Sequence, residues 1–264
     1  MSRRPAPLPW FYRWRTDLIQ TPLFAVITVF CGTLSLLISL VDKRGNVQHR
    51  IARVWARACL WVTRAKLTVL GGENLRRYPV AVFASNHTSY IDTPVIFASI
   101  PLQFRILAKK DLWPIPFIGW YLHRSGQIPI DTSNPRASLS SLGVAAKALR
   151  SGMPLFVFPE GGRTSDGEMR PFLSGAAYLA IRAQVPLVPM ALSGVYDLLP
   201  IHTRHFYPAD LTLNVGEPIE TTGMTVRQTD ELTARLRAAV DGLRQPRGAE
   251  AGESVSGAEA PAEL

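Results

Sequence analysis

From Leu18 to Val41 the chain runs 24 residues without a formal charge, more than the roughly 20 apolar residues a helix needs to cross a bilayer core. A single span and a membrane-embedded hairpin both fit that length. Pro22 near the start and Gly32 in the middle offer places for a helix to bend. Positive charge flanks the run on both sides, with Arg3, Arg4, Arg13 and Arg15 before it and Lys43, Arg44, Arg50, Arg53 and Arg57 after it. That symmetry favours the hairpin and gives no orientation by the positive-inside rule. A secretory signal has a shorter apolar core and a small-residue cleavage site; this run continues into another patterned segment and is predicted to be retained. In residues 47–62, Val47, Ile51, Val54, Ala58 and Trp61 fall on one helical stripe, with Arg50, Arg53, Arg57 and Arg64 mainly elsewhere. This basic amphipathic helix, with Trp55 and Trp61, suits a membrane interface. It suits equally well a helix packed on a domain with its charges in solvent.

After residue 66 the pattern changes to short, β-branched apolar runs separated by helical periodicity. Strands are predicted over 67–70, 80–84, 104–108, 127–130, 155–158, 187–191 and 211–215. The clearest helix opens with Asn134 as cap and Pro135 at the first position, runs through Leu139, Leu142, Ala146 and Leu149, and stops at Gly152. Near-continuous apolar strands alternating with helices predict an α/β fold with a mostly parallel central sheet flanked by helices. Three segments follow: basic, apolar N-terminal helices over 1–66, an α/β domain over 67–245, and a tail over 246–264 of Ala, Glu, Gly and Ser with four Glu and one Arg, predicted to be disordered. No internal repeat is seen.

Composition refines this picture. With 264 residues, 47% of them apolar, the chain is long enough for one substantial core. Its formal charge of +9 is confined to one end: residues 1–66 carry 11 Lys and Arg against two Asp and Glu, and the remainder carries 18 of each sign. The positive charge brackets an apolar stretch and is not interleaved with base-stacking aromatics, which points to an anionic membrane face and away from nucleic acid. Two cysteines, Cys31 and Cys59, give no disulfide framework and predict a reduced, cytosol-facing protein.

Three polar clusters each follow a predicted buried strand: NHTSYID (86–92), IDTSNP (130–135) and FPEGGRT (158–164). Ligands of open α/β sheets bind beyond the carboxyl ends of the strands, so the three are predicted to converge on one site. His87 and Asp92 are five apart, about 140° around a continuous helix, and meet only if a turn intervenes. Given that turn, Asp92 fixes one imidazole nitrogen and leaves the other as a general base. The plainer alternative is that Asp92 is a helix N-cap and His87 an ordinary polar residue. Gly161 and Gly162 let the chain turn tightly, and Arg163 offers a planar fork suited to phosphate. Lys109 and Lys110, after another strand, are placed to add charge there or to lie solvated. No G-x-S-x-G elbow, dinucleotide fingerprint or phosphate-loop lysine motif occurs. His202 and His205, near Asp197 and Asp210, lack a second ligand cluster, so no metal site is predicted. A histidine base without a serine or cysteine nucleophile implies direct attack by a substrate hydroxyl.

Four ordered blocks resemble the bacterial 1-acyl-sn-glycerol-3-phosphate acyltransferase family, within the wider glycerolipid acyltransferases. They are HxxxxD as His87 to Asp92, GQIPIDT (126–132), FPEGGR (158–163) where FPEGTR is usual, and VPLVPMAL (185–192). The resemblance implies a glycerol-3-phosphate acyltransferase-like fold with an N-terminal membrane-embedded helical pair. It implies that His87 deprotonates the acceptor hydroxyl while Asp92 orients the ring. Arg163 would hold the acceptor's phosphate, assisted by Lys109, with Glu160 and Gly161 shaping the loop. The implied reaction acylates the sn-2 hydroxyl of lysophosphatidate from acyl-coenzyme A or acyl carrier protein, giving phosphatidate at the cytoplasmic face of the inner membrane without a further cofactor. Two positions depart from the pattern: Gly162 replaces a Thr, and Thr132 stands where many members have Arg. Both bear on acceptor preference, and relatives acylating lyso-ornithine lipid or other lysolipids share the blocks. A non-catalytic, membrane-anchored lipid-binding protein is the competing class.

Overall fold

A computed structural model describes residues 9–42, 44–131 and 135–245. The predicted acidic tail, Thr132 and the Asn134 cap lie outside the described residues. In chain order the elements are helix α1 (Trp10–Ile38), α2 (Asn46–Thr63), β1 (Leu67–Leu70), α3 (Asn74–Arg77), β2 (Val82–Ser85), α4 (Asp92–Ser99), β3 (Arg105–Lys109), α5 (Ile118–Arg124) and β4 (Ile128–Ile130). They continue with α6 (Pro135–Arg150), β5 (Leu155–Val157), α7 (Gly175–Ala183), β6 (Leu187–Ser193), α8 (Val195–Leu198), β7 (Leu211–Val215) and α9 (Thr229–Leu243).

The seven strands form one sheet in the order β1-β7-β6-β2-β5-β3-β4. The five strands from β6 to β4 are mutually parallel; β7 runs antiparallel to β6, and β1 follows β7 in parallel. Pleating sends alternate side chains to opposite faces. Phe83, Phe156, Val188 and Met190 meet α2 and α4 through Ala56, Leu60, Val95 and Ile96 on one side. Val82, Ala84, Leu155 and Leu187 meet α6, α7 and α9 through Leu149, Ala176, Leu232 and Leu236 on the other. Burial on both faces is why these strands read as continuous apolar runs.

The apolar N-terminal run is one helix, not a hairpin. It passes through Gly32 without a break because that glycine admits another ring: a Cβ there would stand 2.5 Å from two carbons of Phe117. The reversal comes after Ile38, and α2 packs back along α1. α1 is the one helix among the described residues long and apolar enough to cross a membrane, and only 11% of its most apolar window is buried. Its first part carries a π-turn at Thr16–Gln20, where the helix is fastened both to α2 and to the domain. Thr16 Oγ1 accepts from the Phe206 backbone N–H at 3.3 Å, and Gln20 Nε2 donates to the Val62 carbonyl at 2.8 Å. Asp17 pairs with His205 at 3.3 Å and with Arg204 at 3.6 Å. Thr16 and Gln20 are buried at this wider turn, and Asp17 beside them stays partly exposed. The α2 helix packs through a different face from the predicted stripe: Ala52, Ala56 and Cys59 are buried, while Val47, Val54 and Trp61 of the stripe are exposed.

Candidate active site

Because β2, β5 and β6 are adjacent and parallel, their carboxyl ends deliver Asn86, Phe158 and Ser193 to one edge of the sheet. Asn86 prolongs the ladder past the end of β2 with its side chain: Nδ2 donates to the Leu192 carbonyl at 3.0 Å and Oδ1 accepts from the Leu192 N–H at 2.8 Å. The chain then turns, and His87 and Asp92 meet, with Nδ1 2.8 Å from Asp92 Oδ2. The same Oδ2 accepts the N–H groups of Thr88 at 2.6 Å and Ser89 at 2.9 Å. The carboxylate therefore reaches backward into its own turn, unlike an N-cap, which serves the helix ahead of it. Asp92 is fully buried and His87 is 13% exposed. An acceptor-only carboxylate on Nδ1 selects the tautomer with the proton on Nδ1, and Nε2 keeps its lone pair.

The FPEGGRT segment wraps this histidine. Phe158 stacks on the imidazole with ring centroids 3.9 Å apart and planes 14° apart. Glu160 Oε1 accepts the His87 backbone N–H at 2.7 Å, and its Oε2 accepts the Arg170 N–H at 2.8 Å. The Thr164 N–H donates to the His87 carbonyl at 3.3 Å. Both main-chain polar groups of His87 are thus held by one loop. Burial pushes the Glu160 carboxyl up to about 7, opposed by the two N–H donors and assisted by the neighbouring Asp92 charge. Gly161 adopts φ +67°, the left-handed region, where a side chain would be strained; a Cβ would also lie 2.9 Å from Leu173 Cδ1, the tip of an exposed side chain that can move aside.

Arg163 lies with its guanidinium carbon 3.8 Å from the centre of the Tyr90 ring, within the His87–Asp92 turn. Lys109, at the end of β3, brings its ammonium to 3.8 Å from where a Gly162 side chain would begin. Its neighbour Lys110 turns the other way, 3.8 Å from Asp131. The first and third clusters therefore share one site. The second ends at β4, two strands beyond β5 on the sheet edge, and its Thr132, Ser133 and Asn134 lie outside the described residues. His205 faces Asp17 of α1. Phe158 and Tyr90 were not singled out from the sequence; a lone aromatic inside a motif carries no signal of what it stacks on.

The acyltransferase family profile matches residues 66–193, the stretch holding the dyad, the FPEGGRT loop and β6. The chloroplastic 1-acyl-sn-glycerol-3-phosphate acyltransferase of Brassica napus is 31% identical over 177 residues, which are 66% of this chain and 51% of that protein. The 1-acyl-sn-glycerol-3-phosphate acyltransferase of Cocos nucifera is 29% identical over 234 residues, 83% of this chain and 75% of that one. Residues 66–193 thus carry an acyltransferase domain, and the chain is similar to 1-acyl-sn-glycerol-3-phosphate acyltransferases. It spans about half the length of the Brassica relative and three quarters of the coconut one. The same fold is seen in the crystal structure of the 1-acyl-sn-glycerophosphate acyltransferase from Thermotoga maritima. That structure superposes with a TM-score of 0.74 at 23% identity, covering 88% of this chain and 96% of that one. The two share the mostly parallel sheet flanked by helices.

Proposed function

We propose that this acyltransferase moves a fatty acyl group from an acyl thioester, of coenzyme A or acyl carrier protein, to the sn-2 hydroxyl of 1-acyl-sn-glycerol-3-phosphate, giving phosphatidate. The observation that carries the reading is the buried Asp92 carboxylate on His87 Nδ1 at 2.8 Å, which leaves Nε2 for a substrate hydroxyl. Nε2 takes the hydroxyl proton as the oxygen attacks the thioester carbonyl. The tetrahedral adduct collapses, the carbon–sulfur bond breaks, and the departing thiolate recovers the proton from the imidazolium. Asp92 stabilises that transient cation. A thiolate whose conjugate acid has a pKa near about 8.5 leaves with little help, so no covalent acyl-enzyme is required.

Arg163 and Lys109 are the acceptor-phosphate ligands in this reading; a planar fork and a point charge together suit a dianion. Glu160, with both oxygens on main-chain N–H groups, and Gly161 set the loop that presents them. A two-chain product is delivered to the bilayer, and the exposed apolar helix α1 supplies the surface by which the protein would meet it. We place the protein on the inner membrane with the site at the cytoplasmic face.

The test is acyl transfer by wild type and His87→Ala in detergent-solubilised membranes, with both donor classes. The acceptors are lysophosphatidate, lysophosphatidylcholine and lyso-ornithine lipid. Wild type is expected to form phosphatidate, and the variant to lose about 10² to 10⁴ in rate while keeping its thermal transition. Turnover confined to another lysolipid would overturn the acceptor assignment and keep the dyad. No turnover with any acceptor by folded wild type would overturn catalysis in favour of lipid binding.

A further inference from the structure

Tyr90 is an aromatic residue for which burial gives no reason. Its side chain is 54% exposed, whereas its neighbours Thr88, Ser89, Ile91 and Asp92 are all buried. The turn beneath it is nevertheless rigidly held. Asp92 takes the N–H groups of Thr88 and Ser89. Ser89 Oγ donates to the Leu199 carbonyl at 2.8 Å and accepts the Ile91 N–H at 3.3 Å. The ring therefore stands at a fixed offset from the carboxylate that also holds His87. What lies on its face is Arg163, with a carbon-to-centroid distance of 3.8 Å. Among the described residues no carboxylate lies within 4.0 Å of this arginine, so stacking is what orients it. A free arginine samples many rotamers. A ring against its face removes much of that freedom while leaving the N–H edge open for a bidentate anion.

We infer that Tyr90 is a positioning residue for the acceptor's anionic headgroup: its ring is the platform that holds the Arg163 fork at a set distance from the His87 base. The inference deepens the proposed activity and rests on its reading of Arg163 as the phosphate ligand. In lysophosphatidate only C2, C3 and the ester oxygen separate the reacting hydroxyl from phosphorus, so base and anchor have to be registered closely. Placing the base and the ring on which the anchor stacks on one six-residue turn does this, although Arg163 itself comes from the FPEGGRT loop. Lys109 reaches the loop at Gly162 and is exposed, and among the described residues no ring stacks on it, so it adds charge and not direction.

The experiment is a double-mutant cycle on the full chain in mixed detergent micelles, with kcat and KM measured at fixed lipid fraction for wild type, Tyr90→Ala, Tyr90→Phe, Arg163→Ala and the Tyr90→Ala/Arg163→Ala pair. Tyr90→Ala is expected to raise the acceptor KM about fivefold, the size of an exposed cation–π contact, with kcat within about twofold. Tyr90→Phe keeps the ring face and is expected to restore the KM. In the Arg163→Ala background the loss of Tyr90 is expected to add nothing, because the two act as one unit. An unchanged KM in Tyr90→Ala, a phenylalanine variant as impaired as alanine, or penalties that multiply in the double variant would each overturn the inference. The cycle is read as ratios on whichever lysolipid the wild type acylates. Failure on lysophosphatidate alone therefore counts against the acceptor assignment, and failure of the cycle counts against Tyr90.

Discussion

Replacing Asp92 by Asn isolates the part of the dyad that is pure charge. The oxygen that faces His87 Nδ1 also accepts two backbone N–H groups, at 2.6 and 2.9 Å. An asparagine that put its NH₂ at that position would oppose two donors, so its carbonyl oxygen is forced there and the imidazole keeps the proton on Nδ1. Tautomer and orientation survive; only the negative charge is lost. A carboxylate about 4 Å from the imidazolium charge centre contributes about 4 kcal/mol at an effective dielectric constant of 20. A neutral amide oxygen still provides roughly 1 kcal/mol as a hydrogen-bond acceptor. The difference, about 3 kcal/mol, predicts a fall in kcat of roughly 150-fold with little change in acceptor KM. The assay is initial-rate acyl transfer, paired with a thermal melt, because the new NH₂ takes the place of Asp92 Oδ1, a buried atom with no partner. A loss below about fivefold would refute the electrostatic role, since the charge would then be irrelevant to the transition state. A loss beyond about 10⁴ would refute the tautomer argument, because it would signal a ring bonded through the wrong nitrogen.

Two buried groups give opposite pH dependences of stability. Glu160 has its carboxyl raised from 4.5 to about 7, so the stability tied to its protonated form is complete below pH 4.5 and is lost as pH rises through 7, by roughly 3 kcal/mol. Denaturant unfolding of detergent-solubilised protein at a series of pH values should show that component vanish in Glu160→Gln; an unaltered profile would contradict the burial argument. His49 packs between Phe97 and Phe104, and burial lowers it from 6.5 to about 4. Its neutral form is favoured by folding, so stability is lost as pH falls from 6.5 through 4, again by roughly 3 kcal/mol. His49→Phe is expected to remove that acid loss, and a variant as acid-sensitive as wild type would refute it. The two effects oppose each other between pH 4.5 and 6.5, so each slope emerges clearly only once the other group has been replaced.

Much of the fold is legible in the chain because strands buried on both faces must be apolar throughout. β1 and β7 fall where the pattern places them, and β2 through β6 within about two residues of it. The site is legible in part for the same reason, since polar clusters stand out where they interrupt the apolar runs at the strand ends. Nothing in the local sequence distinguishes Lys109, which joins the loop, from Lys110, which turns to Asp131. Nor does it reveal that β7 enters antiparallel, that Gly32 accommodates Phe117 instead of bending α1, or that Thr16 and Asp17 fasten that helix to the domain and Gln20 fastens it to α2.

The sequence by itself determined the α/β alternation, the apolar and basic N-terminal segment, and the polar clusters that follow the buried strands. Those are properties of periodicity and of side-chain chemistry read over a few residues. The tertiary structure decided how the site is held, because its bonds join residues remote in the chain: Glu160 to His87 across 73 positions, and Asn86 to Leu192 across 106. Such partners are chosen by strand order and by which loop closes over which strand end, and no local pattern encodes either.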